Sequence, residues 1–445
     1  MKTFITLTLQ IIFLQLCQSD SVHPAELWDH LSSAESLTEQ RGVVARFEHS
    51  GHQRVLHLSV TERSLAVGET SVNKRQAVAW TSLPPPPDGW NLNCFQNIEA
   101  TIHNTGTDTV HVTVWVVSSH GWSAVGATTA LERCQQETVS CDLRELYPDG
   151  TPKIDPGQVK EIRIMIQQCD SASIHISKLV ATGPIGAWVR PKGHLDVPEM
   201  TEGDPQAGRR VRYSRDSLTD QEIYCTLYLP SNWESGKKYP VIAEYPGNLF
   251  FNSKKCWSTG RPEQCVMGYG ITKGVQAIWV SLPFVSHGKI AESGFGSHEG
   301  KDTADFTIDI LNDICTCWGG DKRNIFLCGF SRGAIACGYI GLRDDKIARL
   351  WKGFVACQHY DGSNWRESNM HDAIQRAPRF HGKAIFQIDN SAEKYAFVVD
   401  ATDPSVQWTW ATSGLGYHAT AMFLDKRPLM MQLQQWFQTV AMPSH

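Results

Sequence analysis

The sequence predicts two domains of different class: an all-β, jelly-roll-type sandwich over residues 43–184 and an α/β domain over 221–445 with a mostly parallel sheet covered on both faces. Three observations predict this. The chain has 445 residues, more than one hydrophobic core usually serves. Its first half is written in short runs in which every second residue is apolar. Its second half alternates apolar strand-like runs with helical periodicity around the stretch RNIFLCGFSRGAIACGYIGL, Arg323 to Leu342.

Ahead of both domains, Met1-Lys2 is followed by an apolar run from Phe4 to Leu16 and a small-residue exit at Cys17-Gln18-Ser19. That pattern reads as a cleaved secretory leader over residues 1–19, too short to span a bilayer. The mature chain is expected to be extracellular, and no later apolar run has membrane length. A net charge of −5 without any block of like charge leaves no basis for a nucleic-acid or membrane partner. Pro24 to Glu39 is expected to form a short helix.

The sandwich rests on runs such as RVLHLSV, IEATIHN, VHVTVWVV, KEIRIMI and IHISKLVAT, with turns at Asn104-Thr105-Gly106 and Asp155-Pro156-Gly157. Trp80, Trp90, Trp115 and Trp122 fall within it and are candidates either for its core or for sugar-stacking platforms. A polar passage bearing Pro and Gly, residues 185–220, is expected to connect the domains.

In the α/β domain the expected strands are Ile223–Leu229, Pro240–Tyr245, Ala277–Leu282, Ile325–Cys328, Gly353–Cys357, Ala384–Ile388 and Gln407–Ala411. Asp302 to Trp318 carries Phe306, Ile310, Leu311, Ile314 and Trp318 on one helical stripe. Between strand 325–328 and the helix opening at Ala334 lies Gly329-Phe330-Ser331-Arg332-Gly333, a G-x-S-x-G turn in a strand-turn-helix setting. Such a turn lifts the serine hydroxyl off the sheet at the positive end of a helix, and any side chain on its glycines collides with neighbouring backbone.

A serine hydroxyl becomes a nucleophile when a base takes its proton. Elbow architectures order their groups Ser, then acid, then His, so His418 in SGLGYHATAMF is the expected base, ahead of His359, His371 and His381. Asp389, after the strand AIFQI, is the expected acid, with Asp361 and Glu393 as alternatives. Charge developing on the substrate oxygen calls for two backbone N–H donors, expected from Arg332 and from Gly247-Asn248 in the loop after VIAEY.

Thirteen cysteines, one of them in the leader, leave an even number in an oxidising compartment, so disulfides are expected. Cys256 with Cys265, flanking KKCWSTGRPEQC, is one candidate pair and Cys134 with Cys141 another. Cys315-Thr316-Cys317 lies on a helix, where neighbours two apart face different ways, so no metal site is expected there.

Taken together, YPGN, GFSRGA and GYH make residues 223–437 resemble the α/β-hydrolases, in particular secreted esterases of the acetyl-xylan-esterase, feruloyl-esterase and polyhydroxybutyrate-depolymerase sort. The N-terminal half loosely resembles the galactose-binding-like sandwiches that accompany extracellular carbohydrate-active enzymes. The resemblance implies a serine hydrolase of carboxylic esters working through a covalent acyl-enzyme without metal or organic cofactor. Its substrate would be a small-molecule or polysaccharide-linked ester, with glycan binding by the sandwich. There is no H-G-G-G-type oxyanion loop, and no G-x-x-D surrounds the expected acid Asp389. The alternative is a catalytically inactive secreted binding or extracellular-matrix protein built on the same fold.

Overall fold

Alternating apolar residues force a sheet to bury one face, and the first half of the chain does so twice. The computed structural model describes residues 25–50, 53–61, 78–167, 171–214, 223–252 and 256–441, so the expected leader lies outside the described residues. It divides into two compact units, Met1–Leu65 with Lys74–Lys192 and Ala66–Asn73 with Gly193–His445.

The first unit is a sandwich of two antiparallel sheets. One runs Val43–Ser50, Gln53–Val60, Ser173–Pro184, Phe95–Asn104, Gln136–Asp142, and the other Thr38–Arg41, Val78–Leu83, Val159–Gln167, Val110–Ser118, Ala124–Leu131. Val110, Val112, Val114 and Val116 of one sheet and Ile98, Ile102, Ile174 and Ile176 of the other are fully buried in a shared core. Each such side chain contributes about 1.5–3 kcal/mol relative to exposure.

Instead of the helix expected over 24–39, the chain forms a strand Ala25–Glu26, a single 3₁₀ turn Ala34–Ser36 and the strand Thr38–Arg41. Pairing of Ala25–Glu26 with Val180–Ala181 and burial of Leu27, Trp28 and Leu31 override the helical spacing. Trp80, Trp90 and Trp115 are at most 7% exposed and present no open ring face to a sugar. Trp115 lies against Gly126, where an added Cβ would stand 2.7 Å from the indole. Trp122 stays half-buried, edge-on to Trp188 at 5.9 Å.

The second unit is built on a nine-stranded sheet in the order Met200–Thr201, Arg210–Tyr213, Cys225–Tyr228, Ile278–Ser281, Tyr239–Tyr245, Gly320–Phe330, Trp351–Cys357, Ala384–Ile388, Gln407–Ala411. The six strands from Ile278–Ser281 to Gln407–Ala411 pair in parallel. Within the passage 185–220, Met200–Thr201 and Arg210–Tyr213 are therefore sheet strands. The helix Lys301–Cys317 buries Phe306, Ile310, Leu311 and Ile314. No helix among the described residues is long and apolar enough to cross a membrane.

The expected disulfides do not form. Cys134, Cys141 and Cys265 are free thiols, the first exposed and the other two buried; the Cys256 side chain lies outside the described residues. Gln136–Asp142 is extended at about 3.4 Å per residue, which carries Cys141 far from Cys134 compared with the roughly 7 Å Cα limit of a disulfide. The Cys141 thiol instead donates to the Val114 carbonyl, and burial pushes its pKa up to about 12. Cys141, Cys225, Cys328 and Cys357 are small apolar side chains buried in strands. Mass-spectrometric alkylation mapping of the folded chain is expected to modify Cys134 readily and Cys141, Cys225, Cys265 and Cys337 only after unfolding. A disulfide-linked peptide containing Cys265 in a non-reducing digest would overturn this reading.

Candidate active site

Four neighbouring parallel strands end in register, with Phe330 opposite Cys357, Cys357 opposite Ile388 and Ile388 opposite Ala411. The residues that follow them are Ser331, Gln358, Asp389 and Thr412. The first three take left-handed backbone, with φ of 55°, 63° and 53°. Each still donates its N–H across the sheet: Ser331 to the Cys357 carbonyl at 3.0 Å, Gln358 to Ile388 at 2.8 Å and Asp389 to Ala411 at 3.0 Å. Left-handed geometry costs about 1–3 kcal/mol at a non-glycine residue and persists where such bonds over-determine it.

Ser331, with ψ of −116°, caps the helix Arg332–Tyr339. The flanking glycines are obligatory by distance. A Cβ on Gly329 would stand 2.2 Å from the Gly333 carbonyl carbon, and one on Gly333 would stand 2.1 Å from the Tyr245 oxygen. The serine is half-buried, and its hydroxyl makes no hydrogen bond among the described residues.

His418 comes from the loop after Gln407–Ala411. Its imidazole packs on Phe330, the residue before the serine, with centroids 4.5 Å apart, and on His359 at 5.3 Å. The loop that delivers it is tied down by Asp389. One carboxylate oxygen accepts from Ser413 N at 2.7 Å and the Thr412 hydroxyl at 3.1 Å. The other accepts from the Ser413 hydroxyl and from Gln358 Nε2 at 3.0 Å. The same Gln358 nitrogen donates to the Tyr417 carbonyl at 2.8 Å, so one amide links the acid to the residue before His418. Burial pushes the Asp389 pKa up, but donors from Ser413, Gln358 and Thr412 outweigh it and hold the carboxyl below its usual value. Gln358 escapes sequence reading, since a polar residue closing an apolar run is commonplace.

The other candidates are elsewhere. Asp361 is 2% exposed, pairs with Arg376 at 2.7 Å and accepts from the Ser368 hydroxyl, so it is an internal ion-pair residue. Glu393 is exposed. His371 is exposed on the helix Met370–Arg376, and His381 pairs with Asp403 before the strand Ala384–Ile388, at the other end of the parallel strands. His359 is adjacent to His418 but at the surface, where partial desolvation lowers its pKa. Among the described residues no group of three or more His, Cys, Asp or Glu is arranged to hold a metal.

Gly247 borders the elbow: a Cβ there would lie 3.6 Å from the Phe330 ring and 3.9 Å from the Phe330 carbonyl. Asn248 accepts from Gly294 N at 3.1 Å through its side-chain oxygen. The backbone N–H groups of Asn248 and Arg332 donate to no protein group among the described residues.

No family model matches the chain, and no curated protein matches it. Among solved structures, a mutant of the feruloyl esterase module from Clostridium thermocellum complexed with sinapinate is 14% identical, over 57% of this chain and 94% of that one, with a TM-score of 0.34. An arylesterase is 11% identical over 54% and 87%, TM-score 0.35. A family 11 carbohydrate-binding module from Clostridium thermocellum, in complex with a β-1,3-1,4-mixed-linked tetrasaccharide, is 13% identical over 37% and 99%, TM-score 0.26. Overlaps of this size assign neither residue roles nor a substrate to this chain.

Replacing Asp389 by Asn puts an amide nitrogen where an oxygen accepts hydrogen bonds. For a half-buried carboxylate the expected loss at neutral pH is about 1–2 kcal/mol of stability. Because the folded pKa is depressed, the carboxylate's contribution is complete above the unfolded value near 3.8 and disappears as pH falls through the lower folded value. Denaturant unfolding of Asp389→Asn and wild type should therefore differ at neutral pH and converge in acid. A gap independent of pH would refute the charged contribution.

Proposed function

We propose that this chain is a serine hydrolase of carboxylic esters, with Ser331 as nucleophile, His418 as base and Asp389 as the residue orienting it. The observation that carries the reading is the left-handed backbone of Ser331 at a parallel-strand end, with an imidazole packed on the preceding Phe330 and its loop fastened to a carboxylate.

In this mechanism the Ser331 oxygen attacks the acyl carbonyl as His418 takes its proton. The carbonyl oxygen becomes an anion that accepts from the N–H groups of Arg332 and Asn248. Gly247 and Asn248 share one planar peptide, so the Gly247 carbonyl and the Asn248 N–H point in opposite directions. The carbonyl side is occupied by the Arg332 guanidinium at 2.8 Å, which leaves the N–H directed away from it. His418 then protonates the departing alcohol, and a water activated by the same imidazole releases the acid from Ser331. The substrate class is a small-molecule or polysaccharide-linked ester, and glycan contact by the sandwich would use the half-buried Trp122 and Trp188 rather than the covered tryptophans.

One observation favours a second reading, an inactive secreted binding protein on the same fold: the Ser331 hydroxyl has no hydrogen-bonded base among the described residues. Catalytic hydrogen bonds are often long without substrate and close on binding. A fluorophosphonate probe separates the readings. Wild type is expected to be labelled and Ser331→Ala not, while His418→Ala should slow ester hydrolysis by at least ~10³-fold. A folded wild type that resists the probe would favour the binding protein. A screen of short acyl esters and acetylated or feruloylated sugars would identify the substrate.

A further inference from the structure

The side chain next to the nucleophile is a buried cation that hydrogen-bonds to backbone carbonyls and to no carboxylate. Arg332 is 1% exposed, and its two terminal nitrogens donate to four backbone carbonyls: Ala291 at 3.1 Å, Gly294 at 3.0 Å, Gly247 at 2.8 Å and Gly260 at 2.9 Å. The guanidinium carbon sits 3.9 Å from the centroid of the Phe284 ring, and Nε has no partner among the described residues. Glu292, in the same loop as two of those carbonyls, pairs with Arg261 at 2.8 Å. Burial works against the charged form of Arg332 and the nearby Arg366 adds to that, while the Glu292 carboxylate offsets them only in part.

Burying a charge without a counter-charge in contact costs several kcal/mol, and an apolar side chain could fill the space between these loops without it. What an apolar residue cannot do is fix the orientation of a peptide plane. Three loops converge on the guanidinium, and one of its acceptors, the Gly247 carbonyl, belongs to the peptide that carries the Asn248 N–H. Further bonds lace the same loops together, from Gly294 N to Asn248 Oδ1 at 3.1 Å and from Leu249 N to the Glu292 carbonyl at 2.8 Å. The fit is close: a Cβ on Gly260 would stand 2.1 Å from the Glu292 oxygen.

We propose that Arg332 is a positioning residue for the oxyanion: through its side chain it holds the Gly247–Asn248 peptide with the N–H toward the reacting oxygen, and its charge polarises that peptide. This deepens the serine-hydrolase reading and rests on it. A cation on the carbonyl end draws electron density from the N–H end, and hydrogen bonds in series strengthen one another by about 10–30% each. The negative charge absent from the resting site is then the one that forms on the substrate oxygen, so the effect appears in the transition state more than in substrate binding. The elbow thereby supplies both oxyanion donors, one through the Arg332 backbone and one, indirectly, through its side chain.

The test compares Arg332→Met and Arg332→Lys with wild type on one ester substrate and one boronic acid that mimics the tetrahedral intermediate. Arg332→Met is expected to lower kcat by on the order of 10²-fold with KM within about threefold, and to weaken boronate binding by a similar factor to kcat/KM. Arg332→Lys, which keeps the charge but cannot reach four carbonyls, should fall between. A purely structural role predicts lost stability with unchanged kcat in the folded fraction, and that result would overturn the proposal. If Arg332→Met does not fold, wild type decides: on forming the boronate adduct the Asn248 amide and Arg332 side-chain NMR resonances should shift together, and an unmoved Asn248 amide refutes the assignment. Wild type that takes up neither boronate nor fluorophosphonate sinks the hydrolase reading itself, whereas labelling of Arg332→Met at the wild-type rate sinks only this inference.

Discussion

A single row of backbone hydrogen bonds, running one residue past the ends of four parallel strands, determines where everything else at this edge can stand. Ser331, Gln358 and Asp389 keep their N–H groups in the ladder while their left-handed φ turns the chain out of the sheet. Ser331 and Asp389 follow strands two apart in the order, a separation of about 10 Å at 4.7–4.9 Å per strand. A carboxylate cannot reach a serine hydroxyl across that gap. One imidazole with a hydrogen bond at each end spans a distance of that order. The sheet therefore leaves room for a third group from outside the row, and the loop tied to Asp389 packs the His418 ring on Phe330, the residue before the serine.

The elbow imposes a second constraint, because the helix Arg332–Tyr339 must approach its neighbours closely. Gly329 against Gly333 and Gly333 against Tyr245 leave no volume for a methyl group, and Gly338 meets Asp361 in the same way, its missing Cβ 2.4 Å from the aspartate's. Asp361 is thereby pinned beside the helix and paired with Arg376. Close approach also carries the Arg332 side chain into the loops after Tyr245, where it meets four carbonyls. Backbone strain at the serine and loop order around it are two consequences of one packing arrangement.

Much of this was legible in the sequence because local patterns carried it. Strict alternation in VHVTVWVV fixed which face of its sheet is buried, and the strands Ala384–Ile388 and Gln407–Ala411 lie where their apolar runs place them. The glycines of GFSRG are required by contacts within the turn and with the strand just before YPGN, so their reading depended on little else. What stayed hidden depended on distant partners. The segment after residue 24 has helical spacing but is captured by a sheet edge at Val180–Ala181. Arg210 looked like part of a polar connector, yet it is fully buried over Trp279. Cysteine parity suggested a cross-link between Cys134 and Cys141, which the extended strand Gln136–Asp142 holds apart. Gln358 and the Arg332 side chain matter through bonds to backbone atoms of other loops, and such bonds leave no periodic trace.

Between residues 259 and 266 the backbone forms only the 3₁₀ turn Pro262–Gln264, and irregular backbone that is buried must find partners for its N–H and carbonyl groups one by one. Here charged side chains divide that task by polarity. Glu244, 2% exposed, accepts from the N–H groups of Val266, Met267 and Gly268 and from the Trp279 indole, all within 3.0 Å. Arg210 donates to the carbonyls of Pro262 at 3.2 Å, Glu263 at 3.0 Å and Cys265 at 3.4 Å. Arg332 takes Gly260 and Gly247. A carboxylate can only accept and a guanidinium can only donate, so each collects backbone groups of one kind, and the sequence of acceptors and donors along the loop fixes its path. Apolar packing of equal area would bury the same residues without specifying which way each peptide points. At the peptide beside Ser331, that direction is what an oxyanion would require.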